Sequence, residues 1–432
     1  MKRIFDGLYN NDHCGDTWKA ENLYARALKF RLPRQHRYVS LKTEVLPYVE
    51  PVIYVNTPSI AYCRPSFLSI EGENILEEAK DFSTKHLEEY INQNKDKNLA
   101  AIINHSLELP LHWRMLRLEA RWFIDIYRTR KDMYPILLEL AELDFNMVQA
   151  AHQFDLKQVS RWWKSIALAE KLSFARDRLM ENFFWTTGKI FLPQFGYCRR
   201  ILTKVNSLIT TIDDTFVIMK KTTHASDIYI IPLTILNEMA FDTLKEQRFH
   251  INIRYLKKAW ADLCRSYLLE AKCPQEYIEN AWISRSAPTI LVHAYFFVTN
   301  PITMEALDCL EGYPNIIRWS SMILRLVDDF GTSMGDVPKA IQCYMNETSA
   351  SEEDACEYVR YLIFATWNKL NEEQVVSYPF NQLFIEIALN LARMAQCIYQ
   401  HGDGHGIENH ETKDRLFSLL IQSIPLNKDR RY

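Results

Sequence analysis

The chain has 432 residues, of which 48% are hydrophobic and 24% charged, and its formal net charge is −3. This length suits one large domain or two, and the nearly balanced charge excludes the strongly basic surface typical of nucleic-acid-binding proteins. The 11 glycines are few for the length, which argues against an α/β nucleotide-binding fold and favours helices.

The sequence also argues against a membrane span, a targeting peptide and a structural zinc site. No apolar run reaches the roughly 18 residues of a membrane span. The N-terminal stretch MKRIFDGLYNNDHCGD is acidic and has no apolar core, so it predicts neither a signal peptide nor a transit peptide. The nine cysteines form no CxxC pair, which predicts reduced thiols and no structural zinc.

In chain order, the first irregular region is residues 45–67, where four prolines exclude a regular helix and predict a loop or extended segment. The charged, proline-ended stretch 127–135 predicts a domain boundary, followed by a helix that begins near Pro135. Apolar residues then recur at helical spacing, namely Ile136, Leu137, Leu140, Leu143, Met147 and Val148.

The C-terminal part of the chain repeats this pattern. A helix is predicted from the apolar spacing of Leu383, Phe384, Ile387, Ala388 and Leu391. The polar, glycine-bearing residues 399–414 predict a loop between helices that could close over a site.

Two acidic pairs stand at the ends of apolar runs. Asp213 and Asp214 follow ILTKVNSLITTI, so we expect their carboxylates at the end of a buried helix, where a carboxylate is costly unless it is paired or binds a metal. The alternative is a solvated helix end. Asp328, Thr332 and Asp336 recur every four residues, which places them on one helix face. Such hard oxygen ligands suit Mg²⁺ better than zinc.

Three arginines accompany the acidic pairs. Arg325 precedes Asp328 by about one helical turn, and Arg176 and Arg178 flank Asp177. Guanidinium groups suit bidentate recognition of phosphate. Each pattern is common by chance, but together they predict a site for Mg²⁺ and a diphosphate.

The sequence resembles the plant class I terpene synthases, and among them the monoterpene synthases of flowering plants. The resemblance rests on stretches such as KLSFARDRLMENFFWTTG, PQFGYCRRILTKVNSLITTIDD, NAWISRSAPTILVHAYF, RLVDDFGTS and GDVPKAIQCYMNE, and it spans nearly the whole chain. It implies an all-α fold with two helical domains. Residues 1–132 would form an N-terminal, α-barrel-like helical domain, and residues 133–432 the metal-binding class I terpenoid synthase α-bundle.

The resemblance also implies a reaction, in which a prenyl diphosphate, geranyl diphosphate in particular, loses its diphosphate to give a monoterpene or a monoterpene alcohol. Mg²⁺ or Mn²⁺ would be the cofactor. The implied catalytic residues are Asp213, Asp214 and Arg176. The implied substrate-binding residues are Arg176, Arg178, Asp213, Arg325, Asp328 and Trp185. The implied metal ligands are Asp213, Asp328, Thr332 and Asp336.

Two of these assignments have an alternative, and the first is Asp336, which could belong to the GDVPK turn rather than to the metal-binding face. Trp185 would stabilise a carbocation through its π face, but it could equally be a core residue. The loop at residues 399–405 resembles the lid over the closed site of the family.

The sequence departs from the family at the predicted site. Val217 stands where the last aspartate of the DDxxD motif is expected, and Asp336 stands where the second motif has a glutamate. The region after the first motif, KKTTHASDIYIIPLTIL, is shorter than in the family. Because lost carboxylates weaken metal binding, we expect weak activity.

Several alternatives stay open. The chain could be a catalytically inactive terpene-synthase-like protein that acts as a binding module or has no function. A chain-elongating prenyltransferase is disfavoured because the second motif carries a threonine. The resemblance implies a plastid location, with the cytoplasm as the alternative since no transit peptide is predicted. We expect no nucleic-acid partner and no membrane span, and the sequence indicates no oligomeric state.

Overall fold

A computed structural model describes residues 66–93, 97–168, 174–219, 252–270, 277–332, 340–405 and 410–426, together with residues 31, 34 and 172. The regular elements in this part of the chain are all helices, which confirms the predicted all-α class. The predictions for residues 45–65, for 220–236 and for Asp336 lie outside the described residues.

The helices are short to medium in length, apart from one of 32 residues. In chain order they are α1 (Asn74–Gln93), α2 (Lys97–Glu108), α3 (Leu116–Arg128), α4 (Pro135–Ile166), α5 (Leu179–Lys189), α6 (Gly196–Met219), α7 (Asn252–Glu270), α8 (Tyr277–Ser284), α9 (Ala287–Val298), α10 (Met304–Glu311), α11 (Asn315–Gly331), α12 (Ala340–Thr348), α13 (Glu352–Glu373), α14 (Gln382–Tyr399) and α15 (His410–Leu420). None of them has both the length and the hydropathy that a membrane span requires, as far as the described residues go.

By packing, the chain divides into two units, Met1–Arg114 with Phe364–Ser377, and Met115–Ile363 with Tyr378–Tyr432. This division by packing is separate from the predicted domain boundary at residues 132 and 133, which stays a prediction. In the first unit, Leu87 and Ile103 form a small core between α1 and α2. There, too, the rings of Trp113 and Trp367 stack with their centroids 5.3 Å apart.

The second unit is built around α14, which packs against α5, α9 and α11. The predicted apolar pattern of this helix is buried, since Phe384, Ile387 and Leu391 are 0% exposed. Gly331, the last residue of α11, lies so close to α14 that an added Cβ would be 2.7 Å from the carbonyl oxygen of Tyr399. The absence of a side chain therefore lets the two helix ends meet.

Helix α4 begins at Pro135, as predicted, but of the six apolar residues in the predicted pattern only Val148 is buried. Leu138 and Phe145 are at most 1% exposed, whereas Leu140 and Met147 are 63% and 64% exposed. The helix carries apolar residues on two faces, and it is the face with Leu138 and Phe145 that contributes to the core.

Candidate active site

Asp213 and Asp214 lie near the end of α6, and Arg176, just before α5, contacts both. The backbone N–H of Arg176 donates to Asp214 Oδ2 at 2.8 Å, and its Nε donates to Oδ1 at 2.7 Å. Its Nη2 is also 3.6 Å from Asp213 Oδ2. Both carboxylate oxygens of the buried Asp214 therefore accept hydrogen bonds from Arg176. The side chain of Asp213 is 34% exposed and lines a cleft.

The second acidic pair occupies the last turn of α11. Asp328 is buried, and Nη2 of Arg285 lies 2.5 Å from its Oδ2. Burial alone would lower the pKa of Arg285, but Asp328, Tyr399 and Asp213 nearby hold it well above its ordinary value. Burial and a hydrogen bond to Asp328 likewise raise the pKa of the Tyr399 hydroxyl. Arg285 therefore stays a cation between the two acidic motifs.

Arg325 contacts the neighbouring aspartate. Its Nε donates to Asp329 at 3.1 Å and its Nη1 to Ser284 Oγ at 3.3 Å. Asp329 also accepts from the backbone N–H of Ala340 at 3.2 Å, which ties the end of α11 to the start of α12. Arg325 is only 4% exposed and is not among the described residues that line the cleft. These contacts tie Arg325 to the second motif, and the substrate-binding role predicted for it stays a prediction.

Thr332 follows the end of α11 and caps the helix. Its backbone N–H and its Oγ1 both donate to the carbonyl oxygen of Asp328, at 2.9 Å and 2.6 Å. The helix ends at Gly331, so Thr332 is its C-cap residue and not part of the helical face predicted for it.

A cleft of about 630 Å³, open mouth included, separates these helices. Its charged lining residues include Arg176, Asp213 and Arg285. Its aromatic and apolar wall is formed by Trp185, Ile209, Tyr267, Ile290, Leu324 and Tyr399. A charged rim above an apolar, aromatic wall suits a ligand with an anionic head and a hydrocarbon tail.

Trp185 lies in this wall, and its effect on a carbocation stays a prediction. It is 7% exposed, and its ring centroid is 6.3 Å from those of both Tyr399 and His405. Arg178, the other predicted arginine near α5, pairs with Glu181 at 3.2 Å.

The loop after α14 brings His405 to the cleft. Gly402 adopts a positive φ of 109°, a conformation that L side chains rarely adopt, and the backbone N–H of His405 donates to Asp403 at 3.2 Å. Burial lowers the pKa of His405 to about 4, so its ring is neutral near pH 7. The loop that was predicted to cover a site thus contributes a neutral imidazole to the wall.

The side chains of Asp213, Asp328 and Thr332 could bind a hard divalent cation, because such a cation prefers oxygen ligands. Asp213 and Asp328 carry carboxylates, Asp328 lies close enough to raise the pKa of Asp213, and Thr332 adds a hydroxyl. Burial raises the pKa of Asp213, and so do the neighbouring carboxylates of Asp214 and Asp328. Arg285 and Arg176 act in the opposite direction. Among the described residues, no three carboxylate, imidazole or thiol side chains converge on one point.

Two basic residues of the cleft, one arginine and one lysine, were not assigned from the sequence. Arg285 lies in the break between α8 and α9, next to Ser286 with its positive φ of 61°. Lys189 is the last residue of α5 and lies in the cleft wall with no exposed surface. The sequence signal for both was a single basic residue within or beside an apolar helix. Such residues often belong to surface ion pairs, so this signal alone does not indicate a site.

Similar proteins are known over nearly the whole length of this chain. The model of the terpene synthase family, metal binding domain, matches residues 164–223 and 217–369. A protein named myrcene synthase, chloroplastic, from Quercus ilex is 65% identical over 471 aligned positions, covering 99% of this chain and 79% of the relative. The alignment is longer than the chain, so the relative has residues in the matched region that this chain lacks.

Two solved structures are similar over almost the whole chain. Limonene synthase with 2-fluorolinalyl diphosphate has a TM-score of 0.91 at 37% identity, covering 98% of this chain and 87% of the other. Isoprene synthase from grey poplar, with three Mg²⁺ ions and dimethylallyl-S-thiolodiphosphate, has a TM-score of 0.86 at 37% identity and the same two coverages.

Proposed function

The chain belongs to the plant terpene synthases, a family of lyases with a divalent-metal site, and from this premise we propose that it ionises geranyl diphosphate slowly, with Mg²⁺ or Mn²⁺. The products would be inorganic diphosphate and an acyclic or simple cyclic monoterpene or monoterpene alcohol. The observation that carries the proposal is the convergence of Asp213, Arg176 and the Arg285–Asp328 pair at one end of an aromatic cleft.

The residues at this end would act on the diphosphate. Arg176 and Arg285 line the cleft as cations, and their guanidinium groups would bind the diphosphate oxygens and stabilise the charge that develops as the C–O bond breaks. A divalent cation held by Asp213, Asp328 and Thr332 would supply Lewis-acid charge to the same leaving group. Asp336 would complete this set, as the family resemblance suggests.

The aromatic wall would act on the hydrocarbon part. Trp185 and Tyr399 present rings to the cleft, and a π face stabilises a nearby carbocation without a nucleophile that would trap it. The apolar side chains of Ile209, Ile290 and Leu324 would exclude water from the cation. The similarity to a protein named myrcene synthase supports a ten-carbon substrate.

We expect the turnover to be weak because of the first acidic motif. Helix α6 continues through residue 217, so Val217 occupies the position one turn beyond Asp213, where a further carboxylate would face the metal. The two matches to the family model meet at residues 217–223, in support of an alteration that starts at this motif. The lost carboxylate would cost on the order of 10²-fold in rate or more.

Three further parts of the proposal rest on the family. Residues 133–432 would be the catalytic domain, and residues 1–132 the N-terminal helical domain. Arg178 would help to bind the diphosphate together with Arg176. A plastid location is supported by several relatives whose names include chloroplastic.

The test is to incubate the purified protein with geranyl or farnesyl diphosphate and Mg²⁺ or Mn²⁺, and to measure volatiles and released diphosphate. We expect slow formation of ten-carbon products, lost in a variant with Asp213→Asn and Asp328→Asn. Fast turnover would contradict the impairment, and turnover with farnesyl diphosphate alone would contradict the substrate.

Val217 also favours a second function, that of a non-catalytic binding protein. In this case the protein would bind a non-ionisable geranyl thiolodiphosphate in calorimetry and release no product from geranyl diphosphate with either metal. Binding without turnover would therefore replace the first proposal with the second.

A further inference from the structure

The cleft contains a lysine that the proposed reaction does not use. Lys189 ends α5, and its side chain is 0% exposed although its atoms form part of the cleft wall. Its Nζ is 3.5 Å from Asn206 Oδ1 and 5.9 Å from the centre of the Trp185 ring. The amine therefore lies in a dry part of the cleft, next to the aromatic wall.

The helical register places this amine far from the acidic motifs. On α5 the cleft is lined by Asn182, Trp185 and Lys189, and on α6 by Asn206 and Asp213, among others. Asn206 and Asp213 are seven residues apart, or about 10 Å along a helix. Because Lys189 contacts Asn206, its amine lies about two turns deeper than Asp213. This is where the hydrocarbon tail of a ligand held by its diphosphate would reach.

No carboxylate pairs with Lys189 in the part of the chain that the structure describes. Helix α6 presents Asn206 and the thiol of Cys198. Helix α14 presents Asn390, whose amide donates to the Lys189 carbonyl and accepts from Arg393. Burial lowers the pKa of Lys189 to about 7, with a small opposing effect of Cys198. Near pH 7 the Lys189 side chain is therefore a neutral amine in a large fraction of the molecules.

We propose that the Lys189 amine is the proton acceptor that ends the reaction. This role rests on the proposed function. The C–H bond next to the cationic carbon breaks, its electron pair forms the new C=C bond, and the proton moves to the lone pair of Nζ. The resulting ammonium is held by Asn206 and releases its proton to water once the olefin has left. Deprotonation gives an olefin, whereas capture of water by the same cation gives an alcohol.

The first experiment measures the reactivity of the Lys189 amine towards a ligand in the cleft, and it requires no turnover. The protein is treated with geranial, an aldehyde with the geranyl skeleton, and cyanoborohydride. The amine and the aldehyde form an imine and water, and the reductant converts the imine to a stable secondary amine. We expect labelling of Lys189, found by peptide mass spectrometry, to rise between pH 6 and 8 and to fall when geranyl thiolodiphosphate is present. Lys258, a partly exposed lysine paired with Asp262, is the internal control, and its labelling should not respond to that ligand. Absence of the label at Lys189 at pH 8 would overturn the proposal.

The second experiment measures products from geranyl diphosphate. Lys189→Met removes the amine at similar volume, and Lys189→Arg keeps a permanent cation that cannot accept a proton. We expect both to lower the olefin fraction at least fivefold in favour of alcohols. The olefin fraction of the unmodified protein should rise with pH around 7, and that of Lys189→Met should not.

The outcomes separate the two proposals. Active variants with an unchanged olefin fraction overturn the role of Lys189 alone. A protein that turns over no prenyl diphosphate overturns the proposed function, and the proton-accepting role with it, even if Lys189 is labelled. Circular dichroism of each variant shows whether it is folded, and an unfolded Lys189→Arg leaves Lys189→Met and the labelling to decide.

Discussion

The guanidinium of Arg285 lies 2.5 Å from the carboxylate of Asp328, and both groups are close enough to Asp213 to alter its pKa. This pair links the two acidic motifs through a residue outside either of them. Arg285 comes from the short break between α8 and α9, so its position depends on the ends of two helices. It is a better placed cation for an anionic ligand in the cleft than Arg325, which contacts Asp329 and Ser284.

We therefore predict that Arg285→Gln weakens binding of the diphosphate group and lowers kcat/KM for geranyl diphosphate by about 10²-fold, since a charged contact to the leaving group is lost. Calorimetry with inorganic diphosphate and a steady-state assay measure the two effects. Arg254→Gln is the matched control because Arg254 is highly exposed and pairs with Glu311. Equal effects of the two changes would contradict this role for Arg285.

The second prediction concerns position 217. Val217→Asp places a carboxylate one turn beyond Asp213 on the same helix, where it can share a divalent cation. We expect diphosphate release to rise by about 10²-fold or more and to saturate at a lower Mg²⁺ concentration. Val217→Asn has the same size without the charge and should give little of this gain. If neither variant gains activity, the altered region after α6 limits the enzyme, and the non-catalytic alternative is favoured.

The third prediction concerns the contact between α11 and α14. Gly331→Ala puts a Cβ 2.7 Å from the Tyr399 carbonyl oxygen and 2.9 Å from its Cβ, so the helix ends must move apart. We expect a loss of about 1–3 kcal/mol in the free energy of unfolding, measured with urea. Gly312→Ala is the control, since its added Cβ would lie 3.8 Å from the Cys309 carbonyl oxygen and the change should cost at most about 0.5 kcal/mol. A similar cost at both positions would contradict the close contact.

The fourth prediction concerns acid stability. His293 donates from Nδ1 to the Thr289 carbonyl and accepts at Nε2 from Trp260, so its ring is neutral, and burial lowers its pKa to about 4. The unfolded chain, with a histidine pKa near 6.5, binds this proton first. The stability is therefore complete above pH 6.5 and is lost as the pH falls towards 4, by at most about 3 kcal/mol from this residue.

Urea unfolding at several pH values between 7.5 and 4 measures this loss. His293→Gln should make the stability less dependent on pH in this window, and His410→Gln, at an exposed position, should not. His152 and His405 also have pKa values lowered to about 4 by burial, so part of the dependence will persist in His293→Gln. An unchanged slope in His293→Gln would contradict the neutral, buried ring.

The amino-acid pattern predicted helices well and their buried faces less well. Pro135 begins α4 as expected, because its fixed φ and missing N–H suit the first turn of a helix. The same periodicity did not show that Leu138 would be buried and Leu140 exposed. Spacing fixes which residues share a face, but the face that packs is chosen by the neighbouring helices, which are distant in sequence.

The candidate site shows the same limit. The aspartates of both motifs could be found because each pair ends an apolar run. Arg285 and Lys189 could not be found in this way, because each is a single basic residue in the sequence. The role of each depends on a group that folding brings near, the carboxylate of Asp328 for Arg285 and the ring of Trp185 for Lys189. Arg325 was placed on the face of Asp328 from helical spacing, yet its side chain points to Asp329, one residue further along.

Helix α6 lines the cleft with Asn206, Ile209, Thr210 and Asp213, which share one face. Each residue turns a helix by about 100°, so inserting or deleting one residue between positions 206 and 213 would rotate Asp213 away from Asn206 and out of the cleft. This stretch should tolerate substitutions far better than changes in length. The two family matches overlap at residues 217–223, just past this stretch.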